Sequence, residues 1–279
     1  MQRLLGLSAC ALFLGHAWLY LTHRSKLSVF FWNQDWLEKP LASWFDIDWE
    51  QYAATSEPLI HRTDAVFAFA LFLGALLSLH AGWRKPRLPW RDSLLLLASL
   101  FLIPFWLLAW TDRNLQLPMF LEHFLQWGTP FLLLAYPRLK PKTWYLLTAI
   151  FIAATFAGHG LYALGWPHDR PANFTTMVIA LTPLGEPGSA AFLIAAGILD
   201  LLLIPALFLS SQRLRIIALA YATLWGLATA FARILSHFTP AEKFYGLDPW
   251  LAETILRLPH GLVPLALLLT LLPKRSQSI

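Results

Sequence analysis

Eight apolar stretches, each about 20 residues long, constrain the fold of this sequence more than any other feature. The hydrocarbon core of a bilayer is about 30 Å thick, and a helix needs roughly 20 apolar residues to cross it. The composition agrees, because 57% of the residues are hydrophobic and only 13% are charged, unlike a soluble domain. The chain is therefore predicted to be an all-α, polytopic integral membrane protein with eight transmembrane helices. The predicted spans are 4–22, 64–83, 93–111, 118–136, 144–166, 189–210, 214–236 and 254–273.

The basic residues sort by loop. They are concentrated at one end of the predicted spans, where Asp92 is the only acid: Arg3, Arg84, Lys85, Arg87, Arg91, Arg138, Lys140, Lys142, Arg213, Arg215, Lys274 and Arg275. By the positive-inside rule this end is cytoplasmic, so both termini are expected in the cytoplasm. The expected location of the protein is the cell inner (plasma) membrane. The net charge of +5 comes without a basic patch interleaved with aromatics, and nucleic acid is not an expected partner. The expected partner is the lipid bilayer, and a further membrane or periplasmic protein is left open.

The first outer loop, 25–62, is rich in tryptophan, tyrosine and phenylalanine. Trp32 and Trp36 are four residues apart, which predicts that they share one helical face. Amphipathic aromatics of this kind settle at the headgroup level, so an interfacial helix is predicted. The functional alternative is a lid over a cavity that faces outward.

Three ionisable residues within the apolar stretches are the first candidates for chemistry. His16 and His159 each follow a glycine, and Asp200 lies near the middle of the sixth span. An ionisable group at membrane depth costs a few kcal/mol unless it is paired or faces a polar cavity, so each marks a candidate site. Gly158 and Gly160 flank His159 and are expected to let another helix approach closely.

Further polar residues gather toward the outer ends of the predicted spans, whereas the inner half carries little that is comparable. This one-sided placement favours a pocket that opens to the outer face or the outer leaflet. The candidate pocket residues are Tyr20, Glu122, His123, Tyr162, Arg233, His237, Arg257 and His260.

The two halves of the chain carry similar signals. The F-x-G-H pattern of 13–16 recurs at 156–159, and the fourth and eighth spans both combine a histidine with a glycine and a proline. These matches predict two four-helix units, 1–139 and 140–279. Because each unit has an even number of spans, the two units are expected to be parallel, related by an axis along the membrane normal.

Short motifs in 156–233 resemble the DoxX-like four-helix membrane family. They are the pair Gly158-His159, the loop end LGEP at 184–187 and the segment AGILD at 196–200. The opening R-x-x-G at 3–6 is also similar to the start of that family's first helix. The family usually has glutamate where Asp200 stands and usually one four-helix unit. A more distant resemblance is to vitamin K-dependent carboxylase-like membrane domains, but those use a lysine base and the predicted spans contain no lysine.

The DoxX-like resemblance implies a membrane component of a redox system, because the family includes membrane subunits of quinone-linked sulfur oxidation. In this hypothesis His16 and His159 are ligands or proton carriers, and Asp200 orients His159 or accepts its proton. The cofactor would be a quinone, or a haem or metal for which His16 and His159 are the first candidate ligands. No H-x-x-x-H, H-E-x-x-H or C-x-x-C spacing supports a metal, so its ligands would have to come from different helices.

Two other interpretations stay open. A non-catalytic carrier or assembly protein could use the same pocket to bind a small molecule or a partner. Alternatively the charged residues are purely structural, with Glu122 and Asp200 paired to Arg233 and Arg257, since buried charges are kept only when they are paired.

Overall fold

The computed structural model describes residues 1–23, 26–83, 88–241 and 245–273, and these residues form helices and loops without any strand. The prediction of an all-α protein is confirmed. The elements are α1 (Gln2–Thr22), α2 (Leu27–Phe31), α3 (Gln34–Phe45), α4 (Trp49–Thr55), α5 (Glu57–Trp83), α6 (Pro89–Thr111), α7 (Leu117–Glu122), α8 (Phe124–Ala135), α9 (Pro141–Leu164), α10 (Ala172–Leu181), α11 (Glu186–Phe208), α12 (Gln212–His237), a 3₁₀ turn (Tyr245–Leu247), α13 (Asp248–Arg257) and α14 (Pro259–Leu271).

Within the described ranges, seven helical segments are long and apolar enough to cross a bilayer. They are α1, α5, α6, α9, α11, α12 and the combined segment Asp248–Leu271, which comprises α13 and α14. The protein is therefore a multi-pass membrane protein. The segment predicted as the fourth span, 118–136, is divided at His123 into the shorter helices α7 and α8.

Proline sets several helix starts that hydropathy places too late. α6 begins at Pro89 and α9 at Pro141, a few residues before the apolar stretches predicted from 93 and 144. Proline is favoured in the first helical turn because its missing N–H has no partner to lose there and its φ angle is already helical. The polar first turns are thus part of the helices.

The outer loop forms three short helices. Asn33 lies between α2 and α3 and caps the N-terminus of α3. Its side chain accepts a hydrogen bond from the Trp36 backbone N–H at 3.0 Å. Trp32 therefore belongs to the end of α2 and Trp36 to α3. The prediction that the two tryptophans share one helical face is wrong, because the capping asparagine interrupts the helix between them.

Glycines bring the main helices into backbone contact. A Cβ atom at Gly6 on α1 would lie 2.7 Å from the Cα of Gly82 on α5. At Gly197 on α11 it would lie 2.8 Å from the carbonyl oxygen of Gly160 on α9. The predicted close approach at Gly160 is thereby confirmed. α1 also contacts α8, α13 and α14, and α9 contacts α7, α8 and α14.

The outer surfaces of these helices are apolar. Large side chains such as Leu97, Leu202 and Leu224 are exposed, as expected for helices that face hydrocarbon rather than water. The buried core lies between the helices and includes Phe13 and Phe156, the first residues of the two F-x-G-H patterns.

An ion pair connects α6 to the segment after α8 at one end of the bundle. Asp92, in the first turn of α6, accepts hydrogen bonds from Arg91 at 2.7 Å and from Arg138 at 2.6 Å. The remaining basic residues predicted for this end include Arg84, Lys85, Arg87, Lys274 and Arg275, which lie outside the described residues.

Candidate functional site

A cavity of about 420 Å³, which we call the polar chamber, lies between α1, α6, α7, α9, α12 and α13. It contains most of the residues that the sequence predicts for a pocket. The predicted residues that line it are His16, Tyr20, Glu122, His123, Tyr162, Arg233 and Arg257. These side chains come from helices far apart in the sequence, so the fold gathers them at one place.

Two glycines explain how the chamber is built. A Cβ atom at Gly158 on α9 would lie 2.4 Å from the backbone nitrogen of Glu122, so α7 can pack directly on α9 only because this side chain is missing. A Cβ atom at Gly15 on α1 would lie 2.8 Å from the backbone nitrogen of Leu256 on α13. Each contact brings a short helix that ends in a charged residue, Glu122 on α7 and Arg257 on α13, close to the histidine that follows the glycine. The predicted role of Gly158 in close approach is thus confirmed, with α7 as its partner.

One carboxylate lies between two imidazoles. Oε1 of Glu122 is 3.6 Å from Nδ1 of His123, and Oε2 is 3.9 Å from Nε2 of His159. His123 Nδ1 is also 2.9 Å from the carbonyl oxygen of Met119. Because both neighbours of this nitrogen are acceptors, Nδ1 carries the proton and Nε2 of the neutral ring is left as an acceptor. The spacings from Glu122 to the two rings are longer than hydrogen bonds, so the carboxylate interacts with them electrostatically.

Two arginines share a second carboxylate. Arg257 donates to Glu253 one helical turn before it, and Nε of Arg233 is 3.8 Å from the same Glu253 carboxylate. Nη1 of Arg233 donates to the carbonyl oxygen of Thr229 at 2.8 Å. Each guanidinium offers more N–H donors than these contacts among the described residues use. The unused donors are available to a ligand in the chamber.

Asp200 lies away from the chamber, in a second and smaller cavity of about 200 Å³ between α10, α11 and α12, which we call the apolar cleft. Oδ1 of Asp200 accepts a hydrogen bond from the Tyr221 hydroxyl at 2.7 Å. His159 lines this cleft as well. Among the described residues, Arg233 and Arg257 form their ion pairs with Glu253. The expected pairing of Asp200 and Glu122 with these arginines is therefore wrong.

His237 and His260 lie behind the chamber walls. His260 is 1% exposed and meets the ring of His159 edge-on, with 5.0 Å between ring centroids. Neither ring nitrogen of His260 has a hydrogen-bond partner among the described residues. His237 stacks on Trp250 at 3.5 Å, and its Nδ1 is 2.9 Å from the carbonyl oxygen of Arg233. Both histidines thus support residues of the site without lining the chamber.

The sequence prediction missed several residues of the chamber wall. Glu253 holds both arginines, and its position four residues before Arg257 was the available signal. Gln116 accepts a hydrogen bond from the Tyr162 hydroxyl at 3.0 Å. Trp106 and Trp127 form an aromatic wall with their ring centroids 5.2 Å apart. Only the fold brings these last three to the chamber, so no local pattern could have found them.

Within the described ranges, no three histidine, cysteine, aspartate or glutamate side chains are placed to hold a metal ion. His16 lines the chamber whereas His159 lines the cleft, so the two first candidate ligands face different cavities.

No protein-family model, curated protein or solved structure matches this chain.

Proposed function

We propose that this membrane protein binds a small ligand in the polar chamber through an oxyanion or carbonyl head group. The unused N–H donors of Arg233 and Arg257 carry the proposal. A guanidinium is a planar donor that suits carboxylate and phosphate oxygens, and it stays charged when buried. The chamber volume, about 420 Å³, is also within the usual size of a small-molecule site.

The carboxylate between His123 and His159 adds a second property. A ligand held by the arginines lies in the same chamber as Glu122, so that it can exchange a proton with this group. The site therefore supports ligand binding coupled to proton transfer. A structural role alone explains Glu253, which pairs with the arginines, but it does not explain the enclosed space beside them.

A quinone-linked redox component is the second candidate function. Its supporting observation is that the aromatic wall of Trp106 and Trp127 lines the same chamber as hydrogen-bonding groups, since a flat ring can stack on such a wall while its carbonyl oxygens accept hydrogen bonds. Reduction of a quinone to a quinol takes two electrons and two protons. In this proposal the Glu122 cluster supplies the protons and a separate electron-transfer protein supplies the electrons.

The proposed layout has eight spans in two parallel units, 1–139 and 140–279, as in a duplicated DoxX-like unit. Two matching helix contacts support it. Gly158 on α9 lies against Pro118 and Glu122 of α7, and Gly15 on α1 lies against Ala252 and Leu256 of α13. Both pairs are four residues apart, and in both a proline follows eight residues after the second member, at 130 and 264. α7 and α8 would thus form a fourth span equivalent to α13 and α14.

The proposed location is an inner membrane, with both termini in the cytoplasm and the chamber at the outer end. α6 supports this orientation, because Arg91 lies in its first turn whereas Trp106 lines the chamber from its C-terminal half. α12 is arranged alike, with Arg213 at its start and Arg233 near its end. The chamber therefore lies opposite the loops that carry the basic residues.

Binding measurements on charge-matched variants test the proposed function. Arg257→Gln alone would leave Glu253 without its closest partner, so the informative variant is the double change Glu253→Gln with Arg257→Gln. Charge-assisted hydrogen bonds contribute about 1.5–3 kcal/mol. We expect methyl phosphate or acetate to bind the double variant roughly ten- to a hundredfold more weakly in titrations of protein in lipid nanodiscs.

The matched control is Arg213→Gln, an exposed arginine at the other end of α12. This variant should bind as the native protein does. Equal affinity of the double variant and the control, with both proteins folded by circular dichroism, would show that Arg257 does not bind the ligand.

A further inference from the structure

The apolar cleft adjoins the polar chamber. Phe174 and Arg233 line both cavities, so one aromatic ring and one guanidinium form the boundary between them. The cleft wall is otherwise dominated by apolar side chains of α10, α11 and α12, such as Met177, Leu193 and Trp225. Arg233 thus lies between a polar space and an apolar space. Two such adjoining spaces suit a molecule that has one polar end and one apolar end.

The cleft lies among the surfaces that face hydrocarbon. Leu181 on α10 and Phe192 on α11 line it and are 41% and 40% exposed. Both belong to a multi-pass membrane protein whose outer surfaces are apolar. Inside a bilayer the material available to fill an apolar space at such a surface is a hydrocarbon chain.

α10 forms one side of the apolar cleft. It is a ten-residue helix between the spans α9 and α11, and it packs on α11 and α12. Phe174 in its first turn reaches the boundary of the chamber, where its ring lies 6.3 Å from that of Tyr162. Phe174 of this short helix thus lies where the chamber and the cleft meet.

We infer that the ligand is an amphiphile with a single hydrocarbon chain, whose carboxylate or phosphate head group lies at Arg233 and Arg257 and whose chain lies in the apolar cleft. The inference rests on the proposed function and adds the ligand class to it. The chain passes Phe174 and leaves between α10 and α11 into the outer leaflet. The ligand enters laterally from the bilayer.

A cleft-filling variant tests this assignment. Ala228 on α12 lines the cleft and is exposed, so Ala228→Phe reduces the cleft volume without entering the core. The matched control is Leu224→Phe, one turn earlier on the same helix and 71% exposed, outside the cleft lining. Protein in zwitterionic nanodiscs would be titrated with dodecyl phosphate, laurate, methyl phosphate and acetate, and empty nanodiscs would correct for partitioning.

We expect the long-chain ligands to bind native protein on the order of tenfold or more tightly than the short anions with the same head group. Ala228→Phe should remove this advantage while the affinity for methyl phosphate and acetate stays unchanged, and Leu224→Phe should change neither. The phosphate and carboxylate pairs distinguish the two head groups. A diazirine near the chain end of a photoreactive fatty acid should label α10, α11 or α12.

Two opposite results separate the inference from the function on which it rests. If long and short ligands bind equally and Ala228→Phe affects neither, the tail assignment is overturned whereas anion binding in the chamber stands. If neither class binds in a way that depends on Arg257, the proposed function fails and the inference fails with it.

Discussion

Gly158→Ala tests the contact that builds the chamber. The added Cβ atom would lie 2.4 Å from the backbone nitrogen of Glu122 and 2.6 Å from the carbonyl oxygen of Pro118. Both are backbone atoms of α7, so no side-chain rotation can relieve the clash. The helix must move by several tenths of an ångström or more, and overpacking of this kind costs typically 1–3 kcal/mol.

The same movement carries Glu122 away from His159. The distance between these side chains is already 3.9 Å, so a further shift weakens their electrostatic interaction. We therefore expect Gly158→Ala to lower both stability and affinity for an anionic ligand. At about 2–4 °C per kcal/mol, the unfolding midpoint should fall by several degrees.

Gly188→Ala near the start of α11 is the control. The nearest atoms to its added Cβ atom would be side-chain atoms of Leu184 at 3.2 and 3.3 Å, a much milder contact than the 2.4 Å approach to backbone at Gly158. Alanine is also a better helix former than glycine by about 0.5–1 kcal/mol. Gly188→Ala should be neutral or slightly stabilising in the same thermal unfolding assay, followed by circular dichroism in detergent. If Gly158→Ala unfolds at the same temperature as the control and keeps its affinity, the packing of α7 on α9 is not as described.

Three further variants test other parts of the structure. Glu122→Gln should remove the proton uptake or release that accompanies ligand binding, measured by calorimetry in buffers of different ionisation enthalpy; an unchanged proton count would contradict the relay. Asp200→Leu should destabilise the protein by about 1–3 kcal/mol in thermal unfolding, because the Tyr221 hydroxyl loses its acceptor, whereas Asp200→Asn should cost much less. Asp92→Asn should cost about 3–5 kcal/mol in the same assay, because Arg91 is 3% exposed and would be left as an unpaired buried charge; a shift as small as that of an exposed ion pair would refute this role.

Hydropathy predicted the helical membrane architecture because a bilayer imposes one length and one composition on each span. It did not predict helix starts such as Pro89, since polar first turns extend beyond the apolar stretch. It also did not place the break within 118–136 at His123. The break at His123 depends on packing of α7 against Gly158, which is a contact between distant segments.

The residues of the candidate site could be predicted where an ionisable side chain lies in an apolar span, because burying its charge there costs free energy. His16, Glu122 and Arg233 were found for this reason, and the structure places all three on one chamber. Their partners were less predictable. Asp200 was expected to meet an arginine or His159, but Tyr221 from the next helix satisfies it.

Residues that become functional only through tertiary contact could not be predicted from the chain. Trp106 and Trp127 look like ordinary interfacial or core tryptophans in the sequence, and their common wall exists because α6 packs on α8. The apolar cleft has no sequence signal either, since its lining residues resemble any lipid-facing surface. Such features follow from how helices meet rather than from what each helix contains.

The measurement that tests the central claim most directly is the identification of small molecules that co-purify with the protein. Native protein and the double variant Glu253→Gln with Arg257→Gln would be purified in parallel, and the molecules released by solvent extraction would be quantified by mass spectrometry. We expect a single-chain amphiphile with a phosphate, carboxylate or quinone head group in near-stoichiometric amount on the native protein and its loss from the variant. The same molecules in the same amounts on both proteins would contradict a ligand site that depends on Arg257.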